Sequence, residues 1–495
     1  MKTISREVAE WARSVRAKEP PTSLAEHLSS CASFFDHYSA IVGEWRKQNA
    51  GYHQNIESLT RFYVAPGKRV LEVGSGTGDL LAAVRPSVGV GVDLSPKMVE
   101  RASSKHPELR FYTSPLEELD LNGETFDYII LSDLVGFLYD IRMAFERLHR
   151  FCHRNTRIVI SWYSRVWEPA LTAAETLGLK YPQPILNWTA PSDIINLLGL
   201  TDFEPVSHRS HTLLPLRIPV VSRFVNRYLA NLPVLRAFNI SNFIVARPLG
   251  LPACSAPTVT VVCPCRNEAG NIEQIVRRLP QLGSHTELIF VEGNSRDNTL
   301  EECHRVKEVF PETDIKVLKQ TGKGKGDAVR LGFSAASGDI LMILDADVSV
   351  EPEELVYFYN AIASGKGDFI NGSRLVYAMD PKAMRFLNLL GNKFFAWLLS
   401  TLIGQPLRDS LCGTKVLWRT SYQDLAQGRS YFGDFDPFGD FDLLFGAAKL
   451  KLKIVEIPIR YRERVYGETN INRFADGLLL FRMCGVAASK LYFIA

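Results

Sequence analysis

The chain has 495 residues, about three times a typical domain, so two or three domains are expected. Its 46% hydrophobic and 22% charged residues are globular values and exclude a disordered or collagen-like chain. Lys+Arg 57 against Asp+Glu 54 leaves a net charge of +3, which gives no bulk attraction for nucleic acid. Eight cysteines with no CxxC pair read as reduced thiols of a cytosolic protein.

The first eleven residues, Met1 to Trp11, are charged and lack an apolar core, so they do not read as a signal peptide. The first strand signal is Val70-Leu-Glu-Val73, which runs into Gly74-Ser-Gly-Thr-Gly78 and then a helix. Glycines at 74, 76 and 78 permit a tight turn and close backbone approach to a ligand. A second strand, Val88-Gly-Val-Gly-Val92, ends at Asp93, about 20 residues after the glycines begin, where a carboxylate can accept both hydroxyls of a ribose. Ser95-Pro96 opens a helix, and Phe126 to Asp133 reads as the central strand.

These residues resemble the class I S-adenosylmethionine-dependent methyltransferases over roughly residues 30 to 165. The acid before the first glycine favours that family over NAD-binding folds. The resemblance implies that Glu72, Gly74, Gly76 and Gly78 border the cofactor and that Asp93 holds its ribose. Ser114 stands where the family commonly has an adenine-contacting Asp, and Ser132 and Asp133 line the acceptor side. S-adenosylmethionine is the implied cofactor. A base for the acceptor could come from Asp133, His149, His153 or Tyr163; spacing singles out none of them. The Trp-, Pro- and Arg-rich stretch from Trp162 to Asn242 sits where an acceptor-side cap belongs.

Pro248 to Pro257 holds three prolines and a glycine and reads as a linker, giving domains at 1–248 and 258–495 around a joint at 249–257. After it the alternation of apolar strand, turn and helix restarts at Val259-Thr-Val-Val262, so both halves are α/β with mostly parallel sheets. Ligands then belong at the carboxyl ends of the strands. The second half presents Pro264-Cys-Arg-Asn-Glu268, then Glu292 to Asp297, then the basic turn Gly322-Lys-Gly-Lys325. Asp345-Ala-Asp347 follows the strand Ile340 to Leu344. Two carboxylates at a strand edge can bind a divalent cation and leave positions open for a diphosphate.

This half resembles the family 2 glycosyltransferases of GT-A fold, closest to the branch that includes dolichyl-phosphate mannosyltransferases. The implied fold is thus a Rossmann-like methyltransferase followed by a GT-A nucleotide-sugar transferase. By that resemblance Pro264, Arg266 and Glu268 sit at the nucleotide, Glu292 and Asp297 around base and ribose, Lys325 and Asp345 at the nucleotide sugar, and Asp345 and Asp347 at Mg2+ or Mn2+. Gly372-Ser-Arg374, Asp409 to Lys415 and Glu463 to Thr469 resemble acceptor and phosphate-closing segments, with Arg374 and Arg464 as anion holders. The segment Asp434 to Asp442 holds four acids, and just beyond it Leu444 stands where many members carry Glu. A hydroxyl acceptor would need a base there, with Asp440 or Asp442 as candidates. A phosphate is already mostly dianionic at neutral pH and would not.

Two apolar stretches, Phe386 to Ile403 and Gly477 to Ala495, are broken by Asn388, Asn392 and Lys393 and by Arg482 and Lys490. Neither reads as a span; both suit core helices or helices lying in a membrane interface. The leading reading is a bifunctional enzyme, with a nucleotide-sugar donor and a polyprenyl-phosphate or other glycan acceptor, peripheral on the cytoplasmic membrane face. A hydroxyl-directed glycosyltransferase and a chain with one non-catalytic scaffold half are the alternatives.

Overall fold

The structure, a computed structural model, describes residues 21–177, 179–184, 186–251, 256–377, 386–433, 439–462, 466 and 473–494. The chain divides into two units, Met1–Leu251 with Phe493–Ala495, and Pro252–Tyr492.

Among the described residues of the first unit, helices α1 (Leu24–Ser39), α2 (Val42–Gln48) and α3 (Ala50–Tyr63) precede a seven-stranded sheet of order β3-β2-β1-β4-β5-β7-β6. The strands are β1 (Arg69–Val73), β2 (Val88–Asp93), β3 (Arg110–Thr113), β4 (Phe126–Ser132), β5 (Cys152–Tyr163), β6 (Phe203–His211) and β7 (Ser241–Pro248). β3 through β5 pair in parallel, and β7 lies antiparallel between β5 and β6. Near-continuous apolar runs make the parallel strands, because both faces are covered; Leu71, Ile129 and Ile160 are fully buried in the core. Helices α4 (Asp79–Ala83), α5 (Pro96–Lys105), α6 (Ile141–Leu148), α7 (Glu168–Thr176), α8 (Pro191–Leu200) and α9 (Val221–Arg227) complete the unit. Ser95 caps α5, accepting from Met98 N at 3.1 Å ahead of a proline at the first turn. Register then places the ligand edge: Val73 pairs with Val92 and with Leu131, so Gly74 emerges beside Asp93 on one side and Ser132 on the other. The strand order reverses between β1 and β4, the position at which such sheets bind ligands.

The second unit repeats the logic with a sheet of order β10-β9-β8-β11-β13-β12-β14. Its strands are β8 (Val259–Cys265), β9 (Thr286–Glu292), β10 (Asp314–Lys319), β11 (Ile340–Ile343), β12 (Phe369–Ser373), β13 (Lys415–Trp418) and β14 (Ile454–Pro458). β13 runs antiparallel to β11 and β12, while the other pairs are parallel. The helices are α10 (Ala269–Arg278), α11 (Thr299–Val309), α12 (Lys325–Ala335), α13 (Leu355–Ala363), α14 (Phe386–Ile403), α15 (Arg419–Gln427), α16 (Phe441–Lys449) and α17 (Arg473–Ala487). The first interrupted apolar stretch forms α14, and the second runs from within α17 into a π-helical turn at Ala488–Tyr492; among the described residues no helix is long and apolar enough to cross a membrane. Of the expected linker at 249–257, residues 252–255 lie outside the described residues.

Candidate active sites

The first site is a cavity of about 410 Å3 at the β1/β4 switch point, lined by Glu72, Gly74, Gly76, Asp93, Ser114, Ser132 and Asp133. Seven of the eight residues expected there from sequence are therefore brought together. Gly78 is the exception. It caps α4 with φ 74°, and a Cβ on it would meet the Phe111 ring at 2.5 Å, so it serves the turn and not the cavity wall.

Asp93 is fixed by backbone donors: Gly76 N gives to Oδ2 at 2.8 Å and Ser95 N to Oδ1 at 2.9 Å. Each oxygen keeps a lone pair for a further donor. Burial raises the Asp93 carboxyl above its ordinary value although those amides oppose it. Burial also pushes the Glu72 carboxyl up to about 8, and its Oε2 has no hydrogen-bond partner. A Cβ at Gly76 would meet open space, although its φ of 50° still favours glycine. A dry, orphaned carboxylate oxygen, a diol-accepting carboxylate and an open glycine turn fit a cationic nucleoside such as S-adenosylmethionine, whose charge would favour ionised Glu72. Ser114 lines the cavity with its hydroxyl donating to the neighbouring Pro115 carbonyl at 2.9 Å.

Of the four candidate bases, Asp133 and Tyr163 line the cavity. His149 bonds the Thr201 carbonyl at 2.7 Å and stacks on Phe203, His153 lies 3.3 Å from Asp127, and neither lines the cavity. The region after Trp162 does reach the cavity through Tyr163, Lys180 and Tyr181. The contribution of α1–α3 was not foreseen: Tyr38, Trp45, Arg46, Tyr52 and His53 all line the wall. The signal for it was an aromatic spacing that core packing explains equally well.

The second site gathers around Asp345, which follows β11. Leu344 N bonds the Val262 carbonyl at 3.0 Å, carrying the chain along β8 to the carboxyl edge. Lys325, at the start of α12, places Nζ 2.6 Å from Asp345 Oδ1 and 3.9 Å from Asp440 Oδ2. Lys415 Nζ stands 3.8 Å from Asp440 Oδ1. Burial would lower the Lys325 ammonium, but Asp345 and Asp440 outweigh it and hold it above its ordinary value. Asp347 Oδ1 accepts from Ser349 N at 3.0 Å and Ser349 Oγ at 2.7 Å. A Cβ at Gly413 would overlap both the Asp345 carboxylate and the Lys325 ammonium, which explains a glycine in the Asp409–Lys415 segment.

Among the described residues no group of three or more His, Cys, Asp or Glu side chains could hold a metal. The donors here are two hard carboxylates, Asp345 and Asp347. That set suits Mg2+ or Mn2+ when substrate phosphates and water complete the shell, and not an all-protein cage.

The other expected residues lie as follows. Glu292 is buried at the end of β9 and accepts from Ser295 N at 2.5 Å. Glu268 precedes α10, takes the Asn271 amide at 2.7 Å, and donates its own N–H to Thr299 Oγ1 at 2.9 Å. Asp297 accepts from Thr299 and, at 3.5 Å, from the Tyr466 hydroxyl. Pro264 is half-buried at the end of β8, and Arg266 is exposed just beyond. Asp442 turns to Arg429 at 2.9 Å and Arg330 at 3.8 Å, so of the two candidate bases only Asp440 stands in the Asp345–Lys325 group. Arg374 makes a bidentate pair with Asp409, which commits two of its donors. Arg464, Asp434 and Asp436 lie outside the described residues.

Residues 70–155 match the family described as Methyltransferase domain, and residues 260–423 match Glycosyl transferase family 2. The chain therefore carries a methyltransferase domain and a family 2 glycosyltransferase domain. It is 28% identical over 230 residues to the low-salt glycan biosynthesis hexosyltransferase Agl6 of Haloferax volcanii, covering 45% of this chain and 52% of that one. It is 28% identical over 221 residues to a dolichol-phosphate mannosyltransferase of Pyrococcus furiosus, covering 43% and 59%. A dolichyl-phosphate hexose transferase of Haloferax volcanii is 27% identical over 220 residues, covering 44% and 89%. The chain spans about half the length of the first of these relatives.

Proposed function

We propose that the chain is a bifunctional transferase. One unit performs S-adenosylmethionine-dependent methyl transfer. The other performs inverting, divalent-metal-dependent transfer of a sugar from a nucleotide sugar to a polyprenyl phosphate, in glycan or glycolipid assembly. The observation that carries the sugar-transfer half is the Asp345–Lys325–Asp440 group at the end of β11.

A bound S-adenosylmethionine supplies a methyl group on an already activated sulfonium, so orientation is the main demand on the protein. Asp93 would hold the ribose and Glu72 would face the cationic part. A divalent cation at Asp345 and Asp347 supplies charge to offset the departing nucleoside diphosphate. Around it Lys325 holds Asp345, Gly413 leaves room for both groups, and Asp440 is kept near by two lysines. A lipid phosphate attacks without a base, which accords with Leu444 following a helix start that offers only Asp440 and Asp442.

The acceptor class is supported by the way α14 is used. Its Asn392 donates to Asp409 Oδ1 at 2.9 Å, tying the helix to the Arg374–Asp409 pair. Leu390, Phe394 and Trp397 of this helix are exposed, as are Leu478 and Phe481 of α17. The rings of Phe394 and Phe481 are 6.1 Å apart. Exposed Lys393 and Arg482 flank this apolar face. An apolar surface rimmed by cations suits an anionic lipid interface, with the chain peripheral on the cytoplasmic face.

The test is incubation of the full chain with a panel of nucleotide sugars, a short polyprenyl phosphate and Mg2+ or Mn2+, with mass analysis of products. A sugar-phosphate lipid is expected, abolished by chelation and by Asp345→Asn. Transfer only to free hydroxyl acceptors, lost in Asp440→Asn, would support the hydroxyl-directed reading instead. Failure of either unit to bind its nucleotide would make that unit a scaffold.

A further inference from the structure

The acceptor end of the first cavity holds a carboxylate on a strained backbone. Asp133 follows β4 with φ 53°, a left-handed value that costs a non-glycine residue energy and that clusters at functional sites. Its N–H is tied to the Ser161 carbonyl at 2.8 Å. The hydroxyl of Tyr52, from α3, donates to the carboxylate, 2.8 Å from Oδ2 and 3.0 Å from Oδ1. Tyr163, from β5, stacks on Tyr52 with 5.2 Å between ring centres and 21° between planes.

Among the described residues that line the cavity, Lys180 is the cation whose charge acts on Asp133. Lys180 Nζ lies 5.4 Å from the Tyr163 ring centre, but it bonds Glu175 Oε1 at 2.8 Å and Gln183 Oε1 at 2.9 Å, so its charge is met locally. The aromatic rings of Tyr38, Trp45 and Tyr181 complete the walls.

From this juxtaposition we infer that the methyl acceptor is a neutral, hydroxyl-bearing ring compound whose reacting O–H gives its proton to Asp133, with Tyr52 as the positioning residue that holds that carboxylate. The inference deepens, and rests on, the methyltransferase reading of this unit. A carboxylate or phosphate at the reacting position would be opposed by Asp133 in a site where water screens little. A neutral hydroxyl has no such conflict, but it is a poor nucleophile until its proton is taken. Flat aromatic walls suit the apolar face of a ring.

In the step, the acceptor O–H bond breaks and its proton passes to a carboxylate oxygen of Asp133. The oxygen's electron pair forms the O–CH3 bond, and the pair of the methyl–sulfur bond leaves with the neutral thioether. Burial raises the Asp133 carboxyl to about 6, with the Tyr52 bond and Lys180 pulling the other way, so it is largely ionised at neutral pH yet basic enough to act. Tyr52 and Tyr163 are both held well above their ordinary values by burial and stay protonated. His53, whose ring lies 5.5 Å from that of Tyr52, is lowered to about 4 by burial and Arg46 and so is uncharged at neutral pH.

The test uses the full chain with S-adenosylmethionine and three probes: phenyl glycosides, phenethylamine and phenylacetate. S-adenosylhomocysteine binding is followed by calorimetry, and the Asp133 carboxyl by 13C NMR titration, assigned with Asp133→Asn. We expect methyl ethers from the glycosides alone. Asp133→Asn should lose about 10²–10⁴-fold in rate with S-adenosylhomocysteine affinity unchanged. Tyr52→Phe should move both the carboxyl titration and the acid limb of the pH–rate profile to higher pH. Methylation of the amine or carboxylate in preference to the glycosides, or full activity in Asp133→Asn, overturns the inference. If no probe is methylated, the titration decides: a carboxyl that does not move in Tyr52→Phe overturns it. Loss of S-adenosylhomocysteine binding in the unaltered chain would instead overturn the methyltransferase reading itself.

Discussion

Arg374 grips Asp409 with a two-pronged fork, Nε to Oδ2 at 2.7 Å and Nη2 to Oδ1 at 2.9 Å, while the Arg374 backbone N–H reaches Oδ2 at 3.0 Å. Asp409 is fully buried and takes further donors from Asn392 and Leu411. Burial alone would raise the Asp409 carboxyl, but the Arg374 bonds and charge outweigh it and hold the carboxyl at about 2. The pair therefore stabilises the fold above the ordinary carboxylate range, and that stability is lost as pH falls toward about 2. Breaking it leaves an unpaired buried charge, which costs about 3–5 kcal/mol. Arg374→Met should lower the unfolding midpoint of the second unit in denaturant accordingly. Arg374→Lys should recover part of it, since a single ammonium cannot reproduce the fork. An Arg374→Met chain as stable as the parent would show the pair to be solvent-screened.

Glu72 supplies a prediction of opposite sign. Its folded carboxyl is raised to about 8 by burial, so ionisation opposes folding once pH exceeds the ordinary glutamate value, and the penalty grows until pH passes about 8. Glu72→Gln should match the parent in thermal unfolding near pH 4 and exceed it above neutrality, by about 3 kcal/mol at pH 7 for a shift of that size. The same change should weaken S-adenosylmethionine more than its uncharged thioether product, because the cation is what favours ionised Glu72. Calorimetric titration with both nucleosides reads this directly. Equal unfolding of the two proteins at pH 8 would mean that Glu72 is hydrated.

Much of this was legible in the residues. Strand runs such as Val70–Val73 and Ile340–Leu344 alternate with turn glycines, and that pattern alone places Asp93, Asp133 and Asp345 at strand ends. What escaped was contact across sequence distance. Tyr52 meets Asp133 from a helix 81 positions earlier, and nothing in the sequence separates it from the other aromatic residues of α3. Arg374 reads as a phosphate holder by motif, yet the neighbouring motif supplies Asp409 as its partner; a pairing between two motifs is visible only once β12 and β13 are side by side. Likewise Cys263 and Cys265 are the near pair in sequence, but Cys265 makes its sulfur contact with Cys303, 3.8 Å away. Strand alternation sends neighbouring odd positions to one face, and the partner comes from α11.

Gly413 gives a test of geometry without charge. Its side-chain position is already taken by the Asp345 carboxylate and the Lys325 ammonium, so Gly413→Ala must push one of them away. Sugar transfer should fall by at least about 100-fold, the scale expected when a site is displaced by about an ångström. S-adenosylhomocysteine binding to the other unit should not change. Gly391→Ala is the control: it lies within α14, a Cβ there meets nothing within 4 Å, and alanine favours helix by about 1 kcal/mol. Normal transfer in Gly413→Ala would show that the Lys325–Asp345 contact is dispensable.

The exposed face of α14 and α17 makes the last prediction. Trp397 is 64% exposed, Leu478 75% and Phe481 55%, an arrangement that water alone does not favour for side chains of this size. Phe395, one position from Phe394, is buried and packs on Phe481 at 5.0 Å, so the two helices present one surface. Burying a large apolar side chain is worth about 1.5–3 kcal/mol, hence roughly tenfold or more in affinity for each one that enters an interface. Trp397→Ser combined with Leu478→Ser should therefore reduce co-sedimentation with vesicles of anionic lipid by about 100-fold or more. Lys393→Gln with Arg482→Gln should instead weaken binding chiefly at low salt, because the attraction of exposed cations is screened within about 10 Å at 0.1 M. Neither pair touches the Asp345 group, so transfer to a detergent-dispersed short-chain acceptor should persist in both. Equal sedimentation of the Trp397/Leu478 variant and the parent would assign this face to a protein partner in place of a lipid surface.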